Sequence, residues 1–207
     1  MTARLAAVIL AGGRGERLGG VIKANLVIGG KRLLKRVGDA LGALPRAVLV
    51  AHGATPPEQL ALLPGQIAVP DLASDYAGPL AGLAGAIAWC NGSAGPPDTL
   101  LTVAVDTPFL PHDFAARMLA ALGGNEPAVV ARHADQDYPT NAIWRFAVVA
   151  DLPARLAAGT APHSLKRLAD ELGATRLDFP ESDGGDPFAN ANTPADLAAL
   201  ETRARAS

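Results

Sequence analysis

The chain has 207 residues, 49% of them hydrophobic and 18% charged, which is enough for one domain with a sizeable apolar core. Its formal net charge of −2 provides no basic field, so we expect no binding to nucleic acid or to an anionic membrane surface. We therefore expect residues 1–207 to form a single domain.

Apolar strand-like runs alternate with helical patterns along the chain, which predicts β-α-β units and a mostly parallel, twisted sheet. The predicted strands are residues 5–10, 46–51, 66–69, 99–105, 127–131, 140–145 and 174–179. The predicted helices are residues 31–43, 79–90, 112–122, 147–158, 163–172 and 194–204. Ligands of such α/β sheets bind at the carboxyl ends of the strands, so polar residues directly after strands are the functional candidates.

Several site classes are not expected from this sequence. The apolar segment of about six residues before Gly12 is shorter than the apolar part of a signal sequence or a membrane span. No later apolar run approaches the length of a membrane span without an interruption by Gly, Pro or a charged residue. The single cysteine, Cys90, allows no internal disulfide and fits a cytoplasmic protein; it ends an apolar helix pattern, as a small core residue would. The four histidines are scattered, and none pairs at the i, i+4 spacing of a helical metal site.

The segment after the first strand is the most informative motif. It contains the sequence Leu-Ala-Gly-Gly at 10–13, an Arg-Leu-Gly at 17–19, and Lys23. Glycines let backbone N–H groups point at one anion, and nearby cations neutralise its charge, so this loop is typical of a phosphate site. It lacks the Gly-Lys-Ser/Thr ending of a Walker loop and the third glycine of a dinucleotide fingerprint. An ordinary glycine-rich turn is the structural alternative.

Two aspartates follow strand-like runs further along the chain. Asp106 ends the run Leu101–Val105, in the position where a carboxylate can hold Mg²⁺ between triphosphate oxygens, although it can equally serve only as a turn residue. Asp71 follows a shorter run, ahead of a Gly78-Pro79 helix start. From the spacing alone, Asp71 and the glycines Gly82 and Gly85 are explained better by close helix–sheet packing than by a nucleotide site.

The last candidate site residues are asparagines. Asn141 follows Tyr138-Pro139-Thr140, and Asn190 and Asn192 lie two residues apart before a helix start at Thr193-Pro194. Their amides could bind a polar heterocycle such as a pterin, or could simply cap a turn. Thr193 is expected to be the N-cap of the last helix, with Pro194 at its first position.

Taken in order, these segments resemble the molybdenum cofactor guanylyltransferases (MobA type), from about Val8 to Leu200. The first loop is shared with many nucleotidyltransferases, whereas Gly-Pro-Leu-Ala-Gly, Asp-Thr-Pro and Asn-Ala-Asn-Thr-Pro are more specific. The resemblance implies an α/β, Rossmann-like three-layer nucleotidyltransferase fold. It also implies transfer of GMP from GTP to the terminal phosphate of molybdenum-molybdopterin, with release of pyrophosphate.

The resemblance implies the following roles for residues of this chain. GTP would lie against the loop and the acids, that is, Leu10, Ala11, Gly12, Gly13, Lys23, Asp71 and Asp106. Lys23, Arg17 and Asp106 would carry the catalysis, with Mg²⁺ bound by Asp106. Asn190 and Asn192 would face the pterin, away from the glycine-rich loop. Further partners would be a GTP-binding accessory protein and recipient molybdoenzymes.

Two positions depart from the family pattern. The residues after the second strand are His52-Gly53, where family members carry an asparagine, and His52 is the candidate substitute. Ile22 precedes Lys23, where an acidic or polar residue is expected. The rival functions are a nucleotidyltransferase that uses CTP on the same cofactor or a nucleotide on a sugar phosphate, and a non-catalytic molybdopterin carrier.

Overall fold

The computed structural model describes residues 4–15, 18–72, 78–182 and 184–206, with the side chain of Arg14 omitted. Within these residues one sheet contains seven strands: β1 Leu5–Leu10, β2 Ala47–Ala51, β3 Gln66–Val69, β4 Thr99–Ala104, β5 Ala128–His133, β6 Gln136–Arg145 and β7 Thr175–Asp178. The strand order is β7-β5-β6-β4-β1-β2-β3. Strand β6 is antiparallel to both neighbours and the other pairs are parallel, which confirms the mostly parallel sheet.

Helices cover both faces of this sheet. They are α1 Leu33–Leu41, α2 Pro79–Asn91, α3 Phe114–Ala121, α4 Phe146–Val149, α5 Leu152–Ala157, α6 Leu165–Glu171 and α7 Pro194–Ala206. Helices α2, α4, α5 and α6 pack on one face, and α1 and α3 pack on the other. Helix α7 contributes Leu200 to a third, smaller apolar cluster, which also contains Ile28, Leu33 and Phe109. The three layers of the expected α/β fold are thus confirmed.

Strand β1 shows why the sheet is buried on both faces. Its six residues are all buried, and alternate side chains enter opposite cores, as the two-residue period of a strand requires. Ala6, Val8 and Leu10 belong to one core, and Leu5, Ala7 and Ile9 belong to the other. A central parallel strand of this kind is recognisable in sequence as an uninterrupted apolar run.

Helix α2 lies unusually close to the sheet edge because of its glycines. A Cβ on Gly82 would lie 3.1 Å from the Ala51 Cβ, and one on Gly85 would lie 2.1 Å from the Pro70 carbonyl oxygen. A side chain at Gly85 would overlap backbone atoms, and one at Gly82 would be tightly packed against the sheet, which agrees with the packing interpretation of these glycines. The approach brings the start of α2 against the ends of β2 and β3.

Among the boundaries that differ from the sequence prediction, two have a local cause in the chain. The helix predicted over residues 147–158 is split into α4 and α5, because Pro153 has no N–H to donate to Val149, four residues earlier. Strand β6 begins at Gln136 rather than 140, after a two-residue turn in which Ala134 and Asp135 both have positive φ. A shift of register between Tyr138 and Ala142 accommodates Pro139 within the strand.

Short elements that the sequence did not predict lie between β1 and α1. Residues Arg14–Gly15 pair with Val21–Ile22, and Val27–Ile28 pair with Lys31–Arg32. A 3-10 turn, Lys23–Asn25, connects the two ribbons. Because Lys31–Arg32 is extended, α1 begins at Leu33 rather than at residue 31. The first ribbon thus connects the glycine-rich loop to Lys23, and the second connects the 3-10 turn to α1.

Candidate active site

A cavity of about 260 Å³ opens at the carboxyl ends of β1, β2 and β4 and is bounded on one side by the start of α2. This is the place where ligands bind in open α/β sheets. Seven of the residues to which the resemblance assigns a role line it: Leu10, Gly12, Gly13, Lys23, Asp71, Asp106 and Asn190. Ala11 is buried behind the loop, where its N–H donates to the Ala51 carbonyl at 2.8 Å.

The loop after β1 lies directly against the loop after β2. A Cβ on Gly12 would lie 3.1 Å from Gly53 Cα, and one on Gly53 would lie 2.8 Å from Gly12 Cα. Gly53 also has a φ of +58°, which favours glycine. Sequence reasoning gave Gly53 no role, because its contact with Gly12 joins segments that are distant in the chain. Gly12 lines the cavity, so this contact fixes backbone rather than side chains at that part of the wall.

Lys23 lies at the centre of the polar side of the cavity. Its ammonium donates to Asp106 Oδ2 at 2.6 Å and to Asn192 Oδ1 at 2.5 Å. The Lys23 and Asp106 side chains are only 12% and 16% exposed, so this pair is better shielded from water than a surface salt bridge. The three residues come from the loop after β1, the end of β4 and the segment before α7, and the structure brings them together.

Local contacts hold each member of this group. Ala24, next to Lys23, is fully buried, and Asn25 donates through Nδ2 to the Gln59 carbonyl at 2.7 Å. The Asp106 carbonyl accepts from Ala191 N–H at 3.2 Å, which joins the end of β4 to the segment that carries Asn190 and Asn192. The lysine is therefore presented by an anchored turn rather than by a loose loop.

Asp71 lies on the opposite side of the cavity. Its Oδ1 accepts from Gly53 N–H at 2.9 Å, and Oδ2 lies 3.2 Å from the position of a Cβ on Gly12. Burial raises the pKa of the Asp71 carboxyl, whereas the Gly53 hydrogen bond and the proximity of His52 act in the opposite direction. Asp71 thus both fixes the turn after β2 and presents carboxylate oxygen to the cavity.

The asparagines take three different positions. Asn190 lines the cavity beside Asp106, and Asn192 contacts Lys23. These two residues therefore lie close to Lys23 and Asp106, at the cavity that the glycine-rich loop also lines, whereas their place in the sequence led us to expect a separation from that loop. Asn141 is fully buried, and its Oδ1 accepts from Ala104 N–H at 2.9 Å, so it supports the end of β4, while its neighbour Thr140 reaches the cavity.

The remaining candidates have clear outcomes. Arg17 lies outside the described residues. His52 is buried, and its Nδ1 has no hydrogen-bond partner among the described residues. Ile22 packs against the core that contains Leu5, Ala7 and Ile9 of β1, which explains an apolar residue at that position.

Within residues 4–15, 18–72, 78–182 and 184–206, the structure shows no group of three or more His, Cys, Asp or Glu side chains that could hold a metal ion. No helix within these residues is long and apolar enough to cross a membrane.

Two solved structures illustrate the fold of this chain. Molybdopterin-guanine dinucleotide biosynthesis protein A from Archaeoglobus fulgidus superposes with a TM-score of 0.67 at 18% identity, covering 96% of this chain and 97% of that one. The 2-C-methyl-D-erythritol 4-phosphate cytidylyltransferase from Thermus thermophilus gives 0.62 at 22% identity, covering 99% and 100%. At these identities the likeness establishes the fold.

Sequence relatives establish the family. Proteins named molybdenum cofactor guanylyltransferase match from Acidiphilium cryptum, at 40% identity over 95% of this chain and 94% of the relative, and from Cereibacter sphaeroides, at 36% over 98% of both. The sequence model of the MobA-like NTP transferase domain matches residues 7–175. The chain is therefore a member of the MobA-like NTP transferase domain family.

Proposed function

We propose that this protein transfers GMP from GTP to the terminal phosphate of molybdenum-molybdopterin and releases pyrophosphate. The observation that carries the proposal is the meeting of Lys23, Asp106 and Asn192 beside a glycine-lined cavity at the carboxyl ends of the strands. Family membership and two relatives named for this activity support the choice of reaction.

In the proposed reaction an oxygen of the acceptor phosphate attacks the α-phosphorus of GTP. A new P–O bond forms there, the bond to the β-phosphate oxygen breaks, and pyrophosphate leaves with the bonding electrons. The acceptor phosphate is already ionised at neutral pH, so no strong general base is needed. Catalysis then depends on positioning and on neutralising charge.

The cavity residues supply these two requirements. The backbone after β1, with Gly12 and Gly13, lies along one wall, where its N–H groups can meet phosphate oxygens. The Lys23 ammonium, and Arg17 if it reaches the same site, would stabilise negative charge that grows on the departing pyrophosphate. Asp71 would contact the nucleoside, and Asn190 and Asn192 would hold the pterin substrate at its phosphate end.

The donor set fits Mg²⁺. Asp106 offers a carboxylate at the cavity, and Asn190, which lines the same cavity, offers an amide oxygen; oxygen atoms are the ligands that Mg²⁺ prefers. We propose that Asp106 would hold the metal. When bound, Mg²⁺ would supply Lewis-acid activation of the phosphate and would offset its charge.

The experiment is a pyrophosphate-release assay with purified protein, Mg²⁺, GTP and molybdenum-molybdopterin. The proposal predicts that release requires both substrates and is matched by formation of a guanine dinucleotide. A protein that binds molybdopterin but releases no pyrophosphate would be the carrier rather than the transferase. Recipient molybdoenzymes, and a GTP-binding accessory protein, are the further partners that this function implies.

A further inference from the structure

The segment that carries Asn192 is held by one acidic side chain of helix α7. Asp196 Oδ2 accepts from Thr193 N–H at 2.8 Å and from Asn192 N–H at 3.2 Å. In return, Asp196 N–H donates to Thr193 Oγ1 at 3.2 Å. The exchange between Thr193 and Asp196 is a capping box, with threonine at the N-cap and the acid three residues later.

The hydrogen bond from Asn192 N–H goes beyond what a capping box needs. A box satisfies the N-cap and third-residue N–H groups of the helix, whereas Asn192 precedes the N-cap. Asn192 is also the residue whose side-chain oxygen accepts from the Lys23 ammonium. The contacts thus run from Asp196 to the backbone of Asn192, and from its side chain to Lys23.

We propose that Asp196 is a positioning residue for the transfer reaction, which orients Lys23 by fixing the backbone of Asn192. This inference rests on the proposed function. Without the Asp196 carboxylate, the Asn192 backbone loses its hydrogen-bond acceptor and the side chain loses its fixed direction toward Lys23. Lys23 then keeps Asp106 but loses the second of its two acceptors.

Charge adds to this geometry. The pKa of the Asp196 carboxyl is lowered mainly by its hydrogen bonds with Thr193, of which the one with the side chain contributes more than the one with the backbone. The Asn192 N–H and the charge of Lys23 make smaller contributions in the same direction. The carboxylate is therefore ionised at neutral pH, and its negative charge interacts favourably with that of Lys23.

The chain offers a matched control for the helix cap. The Thr193→Ala variant removes the hydroxyl that accepts from Asp196 N–H. It keeps the Asp196 carboxylate and the two backbone N–H groups that donate to it. The Asp196→Ala variant removes the carboxylate itself. Both weaken the start of α7, but only Asp196→Ala releases Asn192. Asp196→Asn keeps an oxygen acceptor and loses the charge.

The test compares these variants in the pyrophosphate-release assay with GTP and molybdenum-molybdopterin. We expect kcat of Asp196→Ala to fall roughly 10-fold below that of Thr193→Ala, because small misplacements of a catalytic group have large kinetic effects. The KM for GTP should change much less than kcat, and Asp196→Asn should recover part of the loss. In an Asn192→Ala background, Asp196→Ala should cause no further loss, because the two act through one path.

Equal kcat for Asp196→Ala and Thr193→Ala would overturn the inference, as would a full additional loss in the Asn192→Ala background. An NMR measurement adds a readout that is independent of turnover. The side-chain amide signals of Asn192, assigned by their absence in Asn192→Ala, should shift in Asp196→Ala and stay in place in Thr193→Ala. An inactive wild-type protein would refute the proposed function instead, and the NMR comparison would still decide whether Asp196 fixes Asn192.

Discussion

The Lys23 ammonium donates to the side-chain oxygen of Asn192 at 2.5 Å, although the two residues are 169 positions apart in the chain. Asp106 accepts from the same ammonium at 2.6 Å. The first glycine-rich loop and the segment before the last helix therefore form one site. A cation held between a carboxylate and an amide oxygen in a partly buried cavity is suited to receive phosphate charge.

Replacement of Lys23 tests this arrangement. We expect Lys23→Ala to reduce kcat/KM for GMP transfer by roughly 10²-fold, because the ammonium proposed to stabilise the leaving pyrophosphate is lost. Lys35→Ala is the control, since Lys35 is exposed and pairs with Asp39 on the same helix, α1. Steady-state kinetics of both variants make the comparison. Similar small effects from the two substitutions would mean that Lys23 has a structural role.

The carboxylate of Asp106 is tested by an isosteric change. Asp106→Asn keeps the size of the side chain and removes its charge, so we expect kcat to fall by roughly 10²-fold and the Mg²⁺ requirement to rise. Asp113→Asn is the control, because Asp113 is exposed and makes no side-chain capping bond. Magnesium titrations of turnover provide the measurement. Near-wild-type kcat for Asp106→Asn at saturating Mg²⁺ would refute the metal assignment.

The packing of α2 on the sheet makes a prediction about stability. Gly85→Ala places a Cβ 2.1 Å from the Pro70 carbonyl oxygen, so α2 must move away from the turn that carries Asp71. We expect the free energy of unfolding to fall by about 1–3 kcal/mol, as for other overpacked sites. Gly92→Ala, at a position where a Cβ makes ordinary contacts, should change it by less than about 1 kcal/mol. Urea unfolding monitored by circular dichroism compares them, and equal midpoints would contradict the packing argument.

Cys90 provides a test that depends on pH. Burial in the core between α2 and the sheet raises the pKa of its thiol to about 11. At pH 8 the native thiol is therefore protonated as well as shielded, and only a small fraction would be thiolate even at pH 9. We expect a colorimetric thiol reagent to react with the native protein at least about 10²-fold more slowly than with the urea-unfolded protein at pH 8. Comparable rates would show that this core opens readily.

The sequence predicted the main elements well because the buried strands and helices carry long, continuous patterns. The uninterrupted apolar runs of β1 and β4 predict central strands, and their ends locate Asp106 and the glycine-rich loop. What it missed depends on contacts between distant segments. Gly53 matters because of Gly12, 41 residues earlier, a pairing that no local spacing encodes. The junction of α4 and α5 was recoverable from Pro153, whereas the early start of β6 was not, since Ala134-Asp135 lacks the usual glycine of a tight hairpin turn.

The same limit applies to the asparagines. Asn190 and Asn192 were expected at a distance from the loop because they lie near the end of the chain. The structure places their segment beside β4, where Ala191 N–H donates to the Asp106 carbonyl. Position along the chain was therefore a poor guide to position in the site, and the assignment of both asparagines to the pterin substrate remains a prediction.

Nucleotide choice tests the central claim most directly. Guanine differs from the other bases in size and in its pattern of donors and acceptors, and a mismatched base leaves buried polar groups unpaired, at a cost of several kcal/mol. The measurement is to incubate the protein with Mg²⁺, molybdenum-molybdopterin and GTP, CTP, ATP or UTP in parallel, and to identify each dinucleotide product by mass spectrometry. Our account predicts that the guanine dinucleotide forms much faster than any other product. A cytosine dinucleotide as the main product would contradict the guanylyltransferase assignment, while leaving the fold and the group formed by Lys23, Asp106 and Asn192 intact.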